Sequence, residues 1–335
     1  MSVSKIPVST EVADLISTSM VWDNHGCMPL RPDDYSFLPR LQQYRDAGVN
    51  VAFINAGFDL MSWENTVAML ASFRHWIGAH PDDYCFADSV VNIEKAISEN
   101  KLAVGFDIEG GVSLNGQLSM VELYYELGVR WMLIAYNNNN LLGGGCQDDD
   151  PGLSDFGRRV IDEMERLGMV VCCSHTGYQT TMEVMEYANN PVIFSHSNPL
   201  ALWQHKRNIR DDAIKACADS GGVIGINGLG SFLGKNDSST QTFVRHIDYV
   251  AQLVGPRHVG LGLDYVFDME ELDEFTLNNP KMFPPEEGYG TGENFVQPAQ
   301  VPEIAAELLN LGYSTGDVQA ILGENHMRIA KQVWK

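Results

Sequence analysis

Short runs of apolar and β-branched residues alternate along the chain with longer stretches in which apolar residues recur every three or four positions. The runs predict buried strands, and the longer stretches predict amphipathic helices. We expect strands at residues 19–25, 49–56, 102–109, 130–137, 169–175, 191–197, 222–228 and 258–264. We expect helices at residues 38–48, 119–128, 153–168, 180–188, 210–220 and 240–255, with Ser154 or Asp155 as an N-cap. This succession of strand–helix units predicts an α/β fold of the (β/α)8 TIM-barrel type.

Two connections are longer than this alternation requires. Residues 57–101 contain helical stretches on either side of AHPDDYC, so we expect an inserted helix there. Residues 265–300 are acidic and rich in proline and glycine, and they follow the last predicted strand. Such a segment is expected to lie over the barrel mouth as a lid or rim. Since no linker separates two halves, we predict a single barrel domain over residues 1–335.

Composition narrows the classes of partner. The chain has 335 residues, 44% of them hydrophobic, which is enough for a large core. Its formal net charge of −22 argues against binding to nucleic acid or to an anionic membrane, because like charges repel. The first twenty residues lack the basic and apolar regions of a secretory signal, so we expect a cytoplasmic protein that acts on a small molecule. The six cysteines show no CxxC spacing, which disfavours a disulfide framework.

Several chemically reactive side chains fall at the ends of predicted strands. In such barrels the C-terminal ends of the strands face one shared pocket. Imidazole, thiolate and carboxylate are good zinc ligands, and a carboxylate can bridge two ions about 3.5–4 Å apart. The pattern therefore predicts a metal site, with one or two ions, at the barrel mouth. The residues concerned are His25, Cys27, Glu109, His175, His196 and Asp264.

Each residue also has an ordinary alternative. A single strand-end histidine is more often a hydrogen-bonded polar group than a ligand. Glu109 could cap a helix or pair with an arginine, and Asp264 could begin a turn. Cys27 could be a small buried hydrophobic residue, the commonest role of a free cysteine. Only the joint placement of these residues favours the metal site.

The sequence resembles the membrane (renal) dipeptidase family, the zinc dipeptidases of the amidohydrolase-like barrels. The resemblance covers nearly the whole chain. It rests on the blocks DIEGG (107–111), LSDFGRRVIDEMERLGMVVCCSH (153–175), PVIFSHS (191–197), KRNIRDD (206–212), HVGLGLDY (258–265) and LGENHMRI (322–329).

The resemblance implies a role for each matching residue. Glu109 corresponds to the carboxylate that bridges two zinc ions, and Asp264 to the catalytic acid and base. Arg207 corresponds to the arginine that binds the substrate's terminal carboxylate; without the family, a surface salt bridge with Asp211 or Asp212 would be favoured. The implied ligands are His175 and His196 for one ion and His25 for the other.

Three positions depart from the family's pattern. Cys27 replaces the aspartate of the usual His-x-Asp motif, and Cys172 stands where an aspartate commonly precedes the histidine of the fifth strand. Tyr136 occupies the place of a substrate-contacting histidine, and we expect it to donate a hydrogen bond to the developing oxyanion. Cys27 either coordinates the second ion as a thiolate or stays protonated beside a mononuclear site.

The function implied is hydrolysis of small dipeptides with a free carboxylate, with zinc as the ion and tolerance of a D-residue at the C-terminal side. The family also suggests a homodimer. Two alternatives stay open. One is a hydrolase of another small amide or ester, such as an N-acyl amino acid or a lactone, since a fold does not fix a substrate. The other is a non-catalytic binding protein with a degenerate site.

Overall fold

A computed structural model describes residues 9–335 of the chain. The strands are β1 (Trp22–Cys27), β2 (Val51–Phe58), β3 (Tyr84–Phe86), β4 (Leu102–Glu109), β5 (Val129–Leu133), β6 (Val170–Cys172), β7 (Ile224–Asn227), β8 (Val259–Gly262) and β9 (Tyr265–Val266). The strands of the main sheet carry mainly buried side chains, as expected where helices cover the outer face of a parallel sheet, whereas the short β3 and β9 are only partly buried.

The helices follow the strands in the order expected of βα units. The helices are α1 (Thr10–Thr18), α2 (Gln42–Asp46), α3 (Trp63–Ala79), α4 (Val90–Ser98), α5 (Met120–Glu126), α6 (Asp155–Leu167), α7 (Tyr178–Tyr187), α8 (Asp211–Asp219), α9 (Gly230–Leu233), α10 (Thr240–Val254), α11 (Met269–Asn278), α12 (Val301–Asn310), α13 (Thr315–Gln319) and α14 (Asn325–Val333). The three longest helices, α3, α6 and α10, begin after serine N-caps. Of the two predicted candidates for α6, Ser154 is the N-cap, and its hydroxyl accepts a hydrogen bond from the Gly157 amide.

The sheet is parallel and curled, with the order β6-β5-β4-β2-β1-β8-β7. The short strands β3 and β9, which were not predicted, pair with β4 and β1 outside this path. The predicted barrel class is confirmed, since the curled sheet is parallel and isolated parallel bridges of Ile193 and Phe194 connect β6 with β7. Strand β4 has the predicted bounds, whereas residues 265–300 contain the unpredicted helix α11.

Residues 191–197 lie between β6 and β7, as predicted, but they do not form a regular strand. The segment joins β6 and β7 only by isolated parallel bridges, Cys172↔Ile193 and Phe194↔Ile224. The next two backbone amides donate to side chains instead of to main-chain carbonyls. Ser195 N–H donates to Cys172 Sγ (3.2 Å), and His196 N–H donates to Ser174 Oγ (3.1 Å). The regular ladder is therefore interrupted where the segment delivers His196 to the barrel mouth.

Several other boundaries were wrong, among them that of β8, which ends at Gly262 before Asp264. Strands β5 and β6 end at Leu133 and Cys172, so Tyr136 and His175 lie in loops beyond the strands. The helix predicted at 38–48 is a 3-10 turn, Leu38–Leu41, followed by the short α2. Pro39 in that turn lacks an amide hydrogen and fits a first helical turn better than a helix interior.

The apolar core has two parts. The larger cluster of buried side chains contains residues of both the sheet and the surrounding helices. A smaller cluster contains barrel residues such as Trp22, Phe53 and Trp131, and Trp22 stacks on Phe53 with 5.5 Å between ring centroids. The Trp131 ring lies 5.5 Å from that of His25, so aromatic packing supports the first strand-tip histidine from below. No helix within residues 9–335 has both the length and the apolar character needed to cross a membrane.

We predict that Gly262→Ala destabilises the barrel at its closing segment, residues 191–197, which joins β6 to β7. A Cβ atom at Gly262 would overlap the main-chain carbonyl of Ser195 and press on His196 Cα, and backbone atoms cannot swing aside. We expect the free energy of unfolding to fall by about 1–3 kcal/mol or more, measured by urea denaturation.

Gly78→Ala is the matched control, because a Cβ atom there meets nothing within 4 Å and the position lies inside α3. It should raise the free energy of unfolding by about 0.5–1 kcal/mol. Equal effects of the two substitutions would contradict the close approach of the closing segment to β8.

Candidate active site

One carboxylate oxygen lies at the centre of three imidazole rings. Glu109 Oε1 is 3.6 Å from Nε2 of His25, 3.4 Å from Nε2 of His175 and 3.3 Å from Nε2 of His196. These residues come from β1, the end of β4, the loop after β6 and the closing segment. The structure therefore brings together the residues that the strand-tip argument singled out.

The other nitrogen of each ring is held by a polar neighbour, which orients the ring. When Nδ1 carries the proton and donates it, the Nε2 lone pair points toward Glu109, the usual arrangement of metal-binding histidines. The partners are Asp107 Oδ2 for His25 (3.2 Å), Asn137 Oδ1 for His175 (2.7 Å) and Ser195 Oγ for His196 (2.8 Å).

Burial makes this cluster unusual in its ionisation. It lowers the pKa values of His175 and His196 well below the ordinary histidine value, which favours neutral rings. It raises the pKa of Glu109 to about 8. Burial also lowers the pKa of His25, but the charges of Asp107, Glu109 and Cys27 outweigh it, and the net shift is well upward. The carboxyl groups of Asp107 and Glu109 would equally attract a cation.

A metal ion fits the atoms present. Glu109 Oε1 is buried and has no hydrogen-bond partner within residues 9–335, although such an atom normally has one. His175 Nε2 and His196 Nε2 approach to 2.9 Å, and two neutral rings that donate through Nδ1 have no proton to share there. Neutral imidazoles and a carboxylate are a donor set typical of zinc.

A second group of ligand atoms shares His25. Cys27 Sγ lies 3.6 Å from His25 Nε2 and 3.5 Å from Asp264 Oδ1, and His25 Nε2 lies 3.5 Å from the same Asp264 oxygen. Within residues 9–335, the groups able to hold an ion are therefore His25 with Glu109 and His196, and His25 with Cys27 and Asp264. Burial raises the pKa of the Cys27 thiol.

The backbone is strained where it presents these side chains. Asn137, His175 and Asp264 have φ angles of 57°, 61° and 55°, in the left-handed region that residues other than glycine seldom adopt. Such conformations cost about 1–3 kcal/mol each and persist where surrounding contacts enforce them. Asp264 is fixed by its amide, which donates to the His25 carbonyl (2.9 Å), and by Asn227 Nδ2, which donates to Oδ2 (2.8 Å).

Tyr136 lies directly beside the cluster. Its ring stacks on that of His175 with 4.0 Å between centroids, and its amide donates to Asp59 Oδ2 (3.1 Å). Burial raises the pKa of the Tyr136 phenol well above its ordinary value, so the hydroxyl keeps its proton. It can therefore act as a hydrogen-bond donor in the cavity that also contains Glu109 and Asp264.

Arg207 is buried, with only 2% of its surface exposed, so the alternative of a surface salt bridge with Asp211 or Asp212 is wrong. Its Nη2 donates to the His196 carbonyl (3.1 Å), while its Nε is buried without a hydrogen-bond partner among the described residues. Arg207 and His175 line one cavity together. An arginine with an unused buried donor there can bind an anionic group of a ligand.

Sequence reasoning missed the residues that orient the ligands. Asp107 holds His25, and Asn55 Nδ2 donates to both Asp107 Oδ1 (3.1 Å) and Glu109 Oε2 (3.2 Å). A signal was available for Asp107, since it lies two residues before Glu109 and therefore on the same face of β4. Cys172 also acts indirectly, because its thiol donates to Ser195 Oγ (3.1 Å) behind His196.

Known proteins resemble this chain in sequence and in fold. An uncharacterized dipeptidase of Schizosaccharomyces pombe is 32% identical over 210 residues, which are 60% of this chain and 50% of that protein. The chain thus spans about half the length of this curated relative. The crystal structure of an amidohydrolase from Pseudomonas aeruginosa is 27% identical, with a TM-score of 0.85 over 96% of this chain and 99% of that one.

A more distant likeness extends to a metallopeptidase from Rhodobacter sphaeroides, whose crystal structure contains a phosphinate mimic of the dipeptide L-Ala-D-Ala. It has a TM-score of 0.77 at 18% identity, covering 95% of this chain and all of that one, and it supports the fold alone. The sequence model of the membrane dipeptidase family, peptidase family M19, matches residues 38–278. With this match over most of its length, the chain belongs to the membrane dipeptidase family.

Proposed function

We propose that the protein is a zinc-dependent dipeptidase that hydrolyses the amide bond of small dipeptides. The observation that carries this proposal is the unpartnered oxygen of Glu109 among three imidazole nitrogens. The family supports it, as does the dipeptide mimic in the structural neighbour from Rhodobacter sphaeroides.

His175, His196 and Glu109 would hold one ion, and His25 with Cys27 a second, with Glu109 between them. When bound, zinc lowers the pKa of a coordinated water to about 7 and polarises a carbonyl group. Cys27 supplies a softer ligand than aspartate, which zinc accepts readily. Its sulfur already lies within 3.6 Å of His25 Nε2, which favours coordination over an isolated buried thiol.

Asp264 serves as the acid and base. Asn227 holds Oδ2, while Oδ1 faces His25 and Cys27 at 3.5 Å from each. The carboxylate thus has one anchored oxygen and one oxygen directed at the site of chemistry. Oδ1 takes a proton from the attacking water and passes it to the leaving amine.

Two further residues bind the substrate. The Tyr136 hydroxyl donates a hydrogen bond to the carbonyl oxygen as negative charge develops on it, since the phenol keeps its proton. Arg207 binds the terminal carboxylate with its unused Nε–H and the adjacent guanidinium nitrogens. Acceptance of a D-residue at the C-terminal side, a homodimer and a cytoplasmic location remain predictions.

We predict that Asp264→Asn lowers kcat by about 10²–10⁴-fold on dipeptides, because an amide cannot take the proton from water. Metal content, measured by elemental analysis, should stay at the wild-type level. Asp219→Asn, at an exposed position of α8, is the control and should leave kcat unchanged. Wild-type turnover in Asp264→Asn would contradict the role of this residue.

We predict that Arg207→Lys raises KM for dipeptides about tenfold or more, since lysine cannot make a two-pronged contact with a carboxylate. Substrates in which this carboxylate is amidated should be cleaved as poorly by the wild type as by the variant. Arg245→Lys, at an exposed position of α10, provides the control for loss of a guanidinium. Equal losses of kcat/KM on free and amidated substrates would contradict the assignment.

A further inference from the structure

An open chamber lies at the strand tips. Its lining includes Glu109, Tyr136, His175 and Asp264 at one end, the floor. Residues of the loops beyond the strands line most of the rest of it, so a substrate side chain that extends from the floor contacts those loops.

The walls of this chamber are mainly apolar. They come from residues 28–30, which follow β1, and from the segment 265–300, which contributes Leu272, Phe275, Phe283 and Phe295. Both segments lie outside the barrel strands, at its mouth. Apolar walls that join a few polar groups at one end are typical of a pocket that selects a ligand by its hydrophobic part.

Aromatic rings form a continuous lining from the floor upward. The Tyr136 ring contacts that of Phe58 (5.3 Å between centroids) and that of Phe283 (6.3 Å). Phe58 in turn meets Phe275 at 5.7 Å, and Phe283 meets Tyr289 at 5.6 Å, mostly edge to face. Since Tyr136 stacks on His175, an apolar group in the chamber would contact aromatic rings immediately beside the cluster.

The position of Arg207 sets the direction of a bound dipeptide. His175 lines both the chamber and a second cavity, and that second cavity contains Lys206, Arg207 and Arg210. Arg207 lies in that second cavity and over the Phe232 ring at the edge of the chamber (5.3 Å), whereas Phe58 and Phe275 line only the chamber. With its carboxylate at Arg207 and its amide bond at Glu109, a dipeptide directs its amino-terminal residue into the chamber.

We propose that the chamber is the specificity pocket for the amino-terminal residue, and that it selects dipeptides in which this residue has a large apolar or aromatic side chain. This inference rests on the proposed dipeptidase function and names the substrate class of the same site. Leucine, methionine and phenylalanine fit the lining, whereas glycine and alanine leave it unfilled.

The charged residues of the chamber agree with this preference. Asp268 and Glu271 both pair with Arg31, which also pairs with Asp34, so negative charge remains at this wall. Glu293 Oε2 is buried and finds no hydrogen-bond partner in the described part of the chain, and burial raises the pKa of this carboxyl. An acidic side chain would meet only like charges here. A lysine side chain directed at Glu293 is the competing occupant, which the experiment below separates.

The test measures kcat/KM of the metal-loaded enzyme for dipeptides X-Ala, with X as Gly, Leu, Phe, Lys or Glu. We expect Leu-Ala and Phe-Ala to exceed Gly-Ala by about tenfold or more, and Glu-Ala to be the poorest. A preference for Lys-Ala would overturn the inference and assign the chamber to a cationic side chain.

Two variants of α11 link the preference to the chamber. Leu272→Trp fills the space and should lower the ratio of kcat/KM for Phe-Ala to kcat/KM for Gly-Ala about tenfold. Phe275→Ala removes a ring and should reduce the ratio of Phe-Ala to Gly-Ala several-fold. Leu277→Ala is the matched control, because this leucine on the same helix is 70% exposed and does not line the chamber.

The outcomes distinguish this inference from the proposed function. Cleavage of all X-Ala dipeptides at similar rates would overturn the specificity pocket and leave the dipeptidase function standing. An unchanged Phe-Ala to Gly-Ala ratio in Leu272→Trp, with a wild-type melting curve, would likewise overturn it. Failure to cleave any dipeptide would overturn the proposed function and this inference with it.

Discussion

The burial of Glu109 is the constraint on which the rest of the site depends. A buried carboxylate needs a compensating partner, because transferring the charge out of water costs several kcal/mol. Glu109 has a donor for one oxygen, from Asn55, and none for Oε1, which instead faces three imidazole nitrogens. A cation bound there would satisfy the carboxylate and the three lone pairs together, which explains why these polar residues lie together at the barrel mouth.

The barrel holds these groups in place by departing from ideal geometry at its tips. The closing segment lacks a regular strand ladder around His196. Gly262 has no side chain, which lets β8 lie close to the main chain of this segment at Ser195. His175 and Asp264 adopt left-handed backbone angles. Rigid strands below and strained loops above position the side chains without further adjustment, as preorganised catalysis requires.

Much of this arrangement could be predicted from sequence, because strand periodicity fixes which residues reach the strand tips. Strand β4 was predicted to the residue, and the candidate ligands lie together as expected. The burial of Arg207 could not be predicted from residues alone, since KRNIRDD is a polar stretch typical of a surface. Asp107 and Asn55 were missed because a buried polar residue in a strand carries no signal until its partner is known. Helix α11 was not predicted because the segment that contains it is rich in proline and glycine, which are typical of loops.

The most direct test of the metal centre is the ratio of metal to protein in the purified chain, measured by elemental analysis for the wild type and for Cys27→Ala. We expect about two zinc ions per wild-type chain and about one in the variant, because His175, His196 and Glu109 remain for one ion while the second loses the Cys27 thiolate. A wild-type ratio near zero that added zinc does not raise would contradict the account and favour a protein that only binds small molecules.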